Sequence, residues 1–342
     1  MKQGNTYSIT FLLITIALVL CFLINISLGS VSIPNIKIIE SFFTPLKNTA
    51  WQHIIIDYRL PKAFTAIIVG SGLGVSGLMM QTLFKNPLAG PYVLGITSGA
   101  SLGVALAFMG ASFLSGFLAI NFTSKWSIVM AASIGSFLVL LSVIIVSAKI
   151  KDTMALLIIG LMFGSLTAAL VSVLSYFSSA EELQQYIFWG FGSLGNLTWQ
   201  ELKVLSVIYG IAIIISIRTI KALNTFLLGD YYATSLGLNV KKSRLLIITA
   251  TSLLAGTITA FVGPIAFLGL AIPHITRQLF NTSNHKILMP AVFLIGAIVM
   301  LICDTIAQLP SSNYTLPINA ITSLIGAPIV IWLLLRKRKI IF

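Results

Sequence analysis

Long runs of apolar residues alternate with short polar segments along this chain of 342 residues. A helix that crosses a bilayer needs about 20 mostly apolar residues. Nine stretches meet that need: 8–28, 61–82, 92–109, 126–148, 154–176, 200–217, 243–262, 287–303 and 317–335. A tenth, 263–279, is apolar but interrupted by Pro264, Pro273 and His274. The pattern predicts an all-α polytopic membrane protein with nine or ten spans, in one domain covering 1–342.

Composition agrees with lipid as the main solvent. The chain is 57% hydrophobic and only 8% charged, whereas soluble domains carry about 25% charged residues. The net charge of +13 would also suit a nucleic-acid-binding protein. Here, however, the basic residues lie between apolar stretches and form no patch, so we expect membrane lipid around the chain and no nucleic acid as a partner.

The basic residues also orient the chain. With ten spans and the N-terminus inside, 15 of the 21 Lys and Arg residues fall inside and 6 outside. This is the asymmetry of the positive-inside rule, and it places both termini in the cytoplasm. The outside loops are then 29–60 and 177–199, with short interfacial pieces at 111–120 and 184–192. Stretch 8–28 is too long for a typical signal peptide and lacks an A-x-A site, so we interpret it as a retained first helix.

No phosphate-binding loop of the type G-x-x-x-x-G-K-[ST] occurs in the sequence. The glycine-rich run at 70–77 lies inside an apolar stretch, where glycines allow another helix to approach closely. The same run contains GVSG at 74–77, which matches the GxSG of intramembrane serine proteases. An alternative hypothesis is therefore a protease in which His274 activates Ser76. Cys21 and Cys303 lie in apolar stretches, and no Cys/His cluster suggests a metal or another cofactor.

Ionisable residues inside a membrane are costly and usually functional. No acidic residue lies near the centre of a clear span, and we expect Asp304 at the outer end of its span, where water reaches it. A proton-coupled secondary carrier, the main alternative to a subunit powered by a partner, would need such central groups. The inside loop 218–242 instead suits a short helix from near Asn224 to Gly237 that presents a surface to an ATPase; a solvated connector is the other interpretation.

Several ordered motifs then resemble one family. They are RLPKAF at 59–64, GLGVSGLMMQTLFKNPLAGPYVLGITSGASLG at 72–103, FWGFGSLGN at 188–196, LNTFLLGDYYATSLGLNV at 223–240, GPIAFLGLAIPHITRQL at 263–279, HKILMPA at 285–291, CDTIAQ at 303–308 and LIGAPIVIWLLL at 324–335. With these motifs, the chain resembles the FecCD-type permeases of bacterial ABC importers, which serve ferric siderophores, haem and vitamin B12.

The resemblance implies the type II ABC importer permease fold with ten spans, in the bacterial inner membrane. It also implies a second permease copy or a close paralogue, cytoplasmic ABC ATPase subunits, and a periplasmic or lipid-anchored solute-binding protein. The chain itself would be no enzyme and would need no cofactor. A ferric siderophore leads as the cargo, with haem or cobalamin as alternatives.

The resemblance also implies roles for individual residues. Docking of the binding protein falls to Arg59, Lys62 and Gln308, and ATPase coupling to Leu228, Gly229, Asp230, Ala233, Leu236 and Gly237. The cytoplasmic gate comprises Asp152, Thr153 and Met154, and helix packing or the pathway involves Gly70, Gly72, Gly74, Gly77, Asn86, Pro87, Gly263, Pro273 and His274. Four positions depart from the family: Gln308 and Lys62 stand where Arg is usual, and Lys85 and Gly90 replace Arg and Asp.

Overall fold

The computed structural model describes residues 2–43, 50–110, 124–149, 153–309, 312 and 314–335, and this part of the chain is helical, with no strand. The helices are α1 (Lys2–Ser27), α2 (Asn35–Phe43), α3 (Ala50–His53), α4 (Leu60–Leu83), α5 (Ile96–Met109), α6 (Lys125–Lys149), α7 (Thr153–Phe177), α8 (Ala180–Gly190), α9 (Trp199–Arg218), α10 (Ile220–Phe226), α11 (Asp230–Ser235), α12 (Val240–Val262), α13 (Leu268–Phe280), α14 (His285–Ala307) and α15 (Ile318–Leu335). A π-helical stretch (Ile54–Arg59) joins α3 to α4, and a 3-10 helix (Pro91–Leu94) precedes α5.

Seven helical segments in the described residues are long and apolar enough to cross a membrane. They are α1, the continuous segment from α3 to α4, α6, α7, α9, α12 and α14. Helices α5 and α15 are apolar but shorter, and α13 has only 13 residues. The prediction of an all-α polytopic membrane protein is confirmed, whereas the count of ten spans stays a prediction.

Helix α4 lies at the centre of the bundle, buried along nearly its whole length. Its glycines allow this position, because two of them touch the backbone of other helices. A Cβ at Gly70 would overlap the carbonyl of Gly296 on α14, and a Cβ at Gly77 would overlap the carbonyl of Gly269 on α13. Glycine at such contacts brings helix axes close together, which maximises dispersion contacts where lipid supplies no hydrophobic driving force.

One sequence-based boundary is wrong, and the break expected in a second stretch is located. The expected outside loop 29–60 is helical from Ala50 onward, so Arg59 belongs to a helix and not to a loop. The interrupted stretch 263–279 begins with five residues outside any helix, 263–267, and α13 starts only at Leu268. The reason is local: α12 ends at Gly263, whose φ of +85° ends the helical path, and Pro264 follows.

We call the end of the bundle that carries Lys62 and Asp304 the outer end, and the end that carries Lys85 and Asp230 the inner end, following the predicted orientation. At the outer end, helix α8 covers and extends the interfacial piece expected at 184–192, while the piece expected at 111–120 lies outside the described residues.

At the inner end, the single helix expected between Asn224 and Gly237 is two helices. Gly229, with φ of +102°, separates α10 from α11, and Asn224 lies within α10.

Candidate functional site

A buried polar cluster joins three helices at the outer end, and we call it the outer clamp. Asp304 of α14 lies 3.2 Å from the Lys62 ammonium of α4. Its other oxygen, Oδ2, accepts hydrogen bonds from Asn25 of α1 at 2.9 Å and from Gln308 at 2.8 Å. Asp304 is only 2% exposed, so it is more buried than its place at the end of an apolar run suggested. Three polar side chains from its own and other helices satisfy the carboxylate.

Arg59 is also buried, and it binds backbone carbonyls. Its Nη1 donates to Ile26 at 2.8 Å and to Ser27 at 3.0 Å, and its Nη2 donates to Val31. These carbonyls lie at or just beyond the end of α1, where a helix leaves backbone acceptors without partners. In this structure, the Arg59 guanidinium therefore completes the end of α1. Its predicted role in docking stays a prediction.

A cavity of about 250 Å³ opens above the outer clamp. Lys62 and Asp304 line it, together with Tyr58 and the loop 192–195. The Lys62 ammonium also lies 5.8 Å from the centre of the Tyr58 ring, within the range of a cation–π contact. Of the three predicted docking residues, the structure thus brings Lys62 and Gln308 together on Asp304 and leaves Arg59 apart, at the end of α1. A partner at the outer end can approach Lys62 through this cavity.

At the inner end, Asp230 is the charged centre of the predicted coupling elements. It accepts a hydrogen bond from Arg244 of α12, and its other oxygen lies 4.0 Å from the ammonium of Lys85. Lys85 follows α4 in a turn and has a positive φ of 48°. The first residue of α11 is thereby held between α12 and the end of α4.

The surface of these coupling elements is apolar and exposed. Leu228 and Leu236 are exposed, and Tyr231 is 92% exposed. Ala233, by contrast, is buried and faces the protein, while Gly237 has a φ of +78° that ends the turn after α11. Large apolar side chains exposed outside the lipid-facing part of a chain commonly mark a protein-binding surface.

A second polar group lies at the inner end, partly buried, and sequence reasoning did not assign it. We call it the inner joint: Thr82 of α4, Asn224 of α10, and Asn284 with His285 at the start of α14. Nδ1 and Nε2 of His285 lie 2.9 Å from Asn224 Oδ1 and 2.8 Å from Thr82 Oγ1. Asn224 Nδ2 donates to Asn284 Oδ1 at 3.0 Å. The only signals in the sequence are the polar residues at 284–285 before an apolar run.

The turn after α4 packs against α13 through His274. Nε2 of His274 lies 2.9 Å from the carbonyl oxygen of Pro87, to which it donates. Asn86 Oδ1 accepts from the backbone N–H of Leu88 at 2.9 Å, which closes the turn. Pro273 lies within α13 and is buried beside His274. This group of predicted pathway residues is therefore one contact between the 86–88 turn and α13.

The protease hypothesis needs Ser76 and His274 to meet, and they do not. The Ser76 hydroxyl donates to the carbonyl of Leu73 at 2.9 Å, within its own helix. His274 donates instead to the carbonyl of Pro87. Among the described residues, no hydrogen bond joins Ser76 to His274. A nucleophile and its base must lie within hydrogen-bond reach, so this geometry offers no activated serine.

The predicted gate is only partly described. Asp152 lies outside the described residues, Thr153 is the first residue of α7, and the next residue, Met154, is exposed. Their role as a gate stays a prediction. Among the residues that the structure describes, no group of three His, Cys, Asp or Glu residues could hold a metal ion.

Comparison with known proteins points to a single family. The model of the FecCD transport family matches residues 17–336. The hemin transport system permease protein HmuU of Yersinia pestis is 35% identical over 322 residues, which cover 94% of this chain and 95% of that protein. The vitamin B12 import system permease protein BtuC of Klebsiella pneumoniae is 36% identical over 288 residues, 84% of each chain.

A solved structure has the same fold. It is described as an inward-facing conformation of a metal-chelate type ABC transporter, and it aligns with a TM-score of 0.82 at 32% identity. The alignment covers 94% of this chain and 97% of that one.

Proposed function

The chain belongs to the FecCD transport family and is an ABC importer permease; from that premise we propose that it carries a metal chelate, with a ferric siderophore as the first candidate. Three similar proteins support the cargo class. One is named for hemin, one for vitamin B12 and one for a metal chelate. Each cargo holds a metal ion inside an organic ligand. Haem and cobalamin are therefore the alternative cargoes.

The energy comes from a separate ATPase that binds the inner end. The observation that carries this part is the exposed apolar surface of α11, with Tyr231 and Leu236, next to the charged group around Asp230. Binding and hydrolysis of ATP in the partner displace α10 and α11, and the bundle switches between outward-open and inward-open states. The permease itself performs no covalent chemistry.

A solute-binding protein docks at the outer end, and the cavity above the outer clamp is the contact we favour. A carboxylate of the partner that enters this cavity would meet the Lys62 ammonium, which now pairs with Asp304. Because both Arg59 and Lys62 are buried, replacing either by an acid would also disturb the fold. Lys62→Gln is the milder test: we expect weaker docking at low salt with the thermal stability checked in parallel. Unchanged affinity in a folded variant would remove Lys62 from the docking surface.

Three further features belong to the same proposal. A second copy of this chain, or a paralogue, completes the translocation pathway. Asp152, Thr153 and Met154 form the cytoplasmic gate, and both termini lie in the cytoplasm at the bacterial inner membrane. What supports them is the likeness of the motifs to the family and the distribution of basic residues described above.

Transport in proteoliposomes tests the proposal. The permease is reconstituted with the ATPase and the solute-binding protein encoded nearest to its gene. ATP is supplied on the side of the membrane that holds the ATPase. Uptake is compared for a ferric siderophore, hemin and cobalamin. We expect ATP-dependent accumulation of one of them, with the siderophore first. Accumulation of hemin or cobalamin alone would make that compound the cargo in place of the siderophore. Accumulation without the ATPase would favour a secondary carrier.

A further inference from the structure

The hydrogen bonds of the inner joint can be assigned from the backbone N–H of His285. The backbone N–H of His285 points at the Asn224 side chain, 2.8 Å from Oδ1. A backbone N–H always donates, so the atom of Asn224 that faces it must be the oxygen. The same oxygen lies 2.9 Å from Nδ1 of His285, which must therefore donate. In the neutral ring, Nε2 is then an acceptor for the hydroxyl of Thr82 at 2.8 Å, and the carbonyl oxygen of Leu78, 2.9 Å from the same hydroxyl, competes for its proton.

The joint uses the free backbone groups at the start of α14. The first N–H groups of a helix have no partner inside that helix. Asn284 Oδ1 accepts from the N–H of Lys286 at 3.0 Å, as an N-cap residue does. Asn224 accepts from the N–H of His285 and donates to Asn284. A side chain of α10 thus completes the cap of α14, and the imidazole of His285 extends the same network to α4.

Helices α4 and α14 stay in register over their whole shared length. Lys62 meets Asp304 at the outer end, Gly70 meets Gly296 in the middle, and Thr82 meets His285 at the inner end. Eight residues separate the first two contacts on each helix, and the last contact lies twelve residues further along α4 and eleven along α14. At 1.5 Å per residue, the outer clamp and the inner joint lie about 30 Å apart, the thickness of the hydrocarbon core.

The two coupling helices differ in their main attachment. Asn224 bonds α10 to His285 of α14, which extends the contact to Thr82 of α4. Asp230 bonds α11 to Arg244 of α12 and reaches the end of α4 only through Lys85, at 4.0 Å. Between them lies Gly229, whose positive φ of 102° suits a pivot. A displacement of the α4–α14 pair relative to α12 would change the angle between α10 and α11.

We propose that Asn224 and His285 are positioning residues that fasten α10 to the α4–α14 pair, so that this pair conveys docking at the outer clamp to the ATPase at the inner end. The proposal rests on the proposed function and adds the route of coupling to it. The outer clamp and the inner joint hold the two ends of the pair, and the glycine contact keeps its middle rigid. An interaction that shifts Asp304 therefore shifts the N-terminus of α14 and, with it, α10.

Three variants of the complete transporter test the route. Asn224→Leu removes every polar contact that the Asn224 side chain of α10 makes in the joint. Asn224→Asp keeps the acceptor for both His285 groups and places a negative charge at the start of α14, where it is favourable. Thr82→Val removes one hydroxyl group at nearly constant shape. Thr15→Val makes the same replacement at an exposed position away from the joint, where the hydroxyl bonds within α1, and serves as the control.

The readout is the ratio of ATPase rates with and without the loaded binding protein, in proteoliposomes that contain the permease and its ATPase. We expect Thr82→Val to lower this ratio about fivefold, the factor that corresponds to one hydrogen bond, and Asn224→Leu to lower it at least as much. Asn224→Asp and Thr15→Val should keep the wild-type ratio. Spin labels on α10 and α14 should also show a broader distance distribution in Asn224→Leu than in the wild type.

Two outcomes would overturn the route: a wild-type ratio in Thr82→Val, or loss of stimulation in Asn224→Asp as complete as in Asn224→Leu. If Asn224→Leu does not assemble with the ATPase, Thr82→Val decides the matter. A wild-type transporter that the binding protein does not stimulate at all would instead contradict the proposed function. The two failures are therefore distinguishable.

Discussion

Lys62 and Asp304 come from helices far apart in the chain and form a buried ion pair, with 3.2 Å between Nζ and Oδ1. Removing one partner of a buried pair leaves an uncompensated charge, whereas replacing both by apolar groups is often tolerated. We expect Lys62→Met to destabilise the protein by about 3 kcal/mol and Lys62→Met with Asp304→Asn to recover most of that loss, because the amide oxygen still accepts from Asn25 and Gln308. Thermal unfolding in detergent measures both. A double variant as unstable as the single one would show that the pair is not the stabilising element.

The contact between Gly77 and Gly269 predicts a steep cost for any side chain there. A Cβ at Gly77 would overlap the carbonyl of Gly269, so α4 and α13 would have to separate. We expect Gly77→Ala to lower the stability by about 1–3 kcal/mol. Gly210→Ala in α9 is the matched control, because no atom lies within 4 Å of the added Cβ. Equal melting temperatures for the two variants would contradict the close approach.

The break between the coupling helices predicts an effect on transport. At Gly229, φ is +102°, a conformation that costs a residue with a side chain about 1–3 kcal/mol. We expect Gly229→Ala to keep the protein in the membrane but to lower uptake per transporter several-fold, because α10 and α11 can no longer keep their angle. Gly190→Ala at the end of α8, where the added Cβ meets no neighbour, should transport normally. Normal uptake by Gly229→Ala would argue against a pivot.

The protease hypothesis requires Ser76 for activity, whereas a permease does not. Because its hydroxyl bonds only to Leu73 within α4, we expect Ser76→Ala to retain transport, with a change in stability below about 1 kcal/mol. Uptake and thermal unfolding of the purified variant check this. Loss of a proteolytic activity on replacement of Ser76 would revive the hypothesis.

Most of the helices could be predicted from the sequence, and the reason is physical. A spanning helix must satisfy its own backbone and face lipid, so its apolar run is visible without any partner. The run 287–303, for example, lies inside the observed α14 (His285–Ala307). The glycine-rich run likewise marked α4 as a helix that others approach closely.

The polar groups could not be predicted, because they depend on residues distant in sequence. Asp304 was expected near water because it ends an apolar run, but Asn25 and Lys62 come from the first two spans to surround it. The same holds for Asn224 and His285, which are ordinary polar residues until α10 and α14 meet. The break at Gly229 depends on a backbone angle that a glycine permits but does not demand.

Arg59 has a consequence for how this protein is made. The carbonyls of Ile26 and Ser27 at the end of α1 are satisfied by a guanidinium that lies 33 and 32 residues later in the chain. A nascent chain that has emerged only as far as α1 must leave those groups to water or to the translocation machinery. The first helix therefore reaches its final hydrogen bonding only when Arg59, at the start of the second, has reached the end of α1.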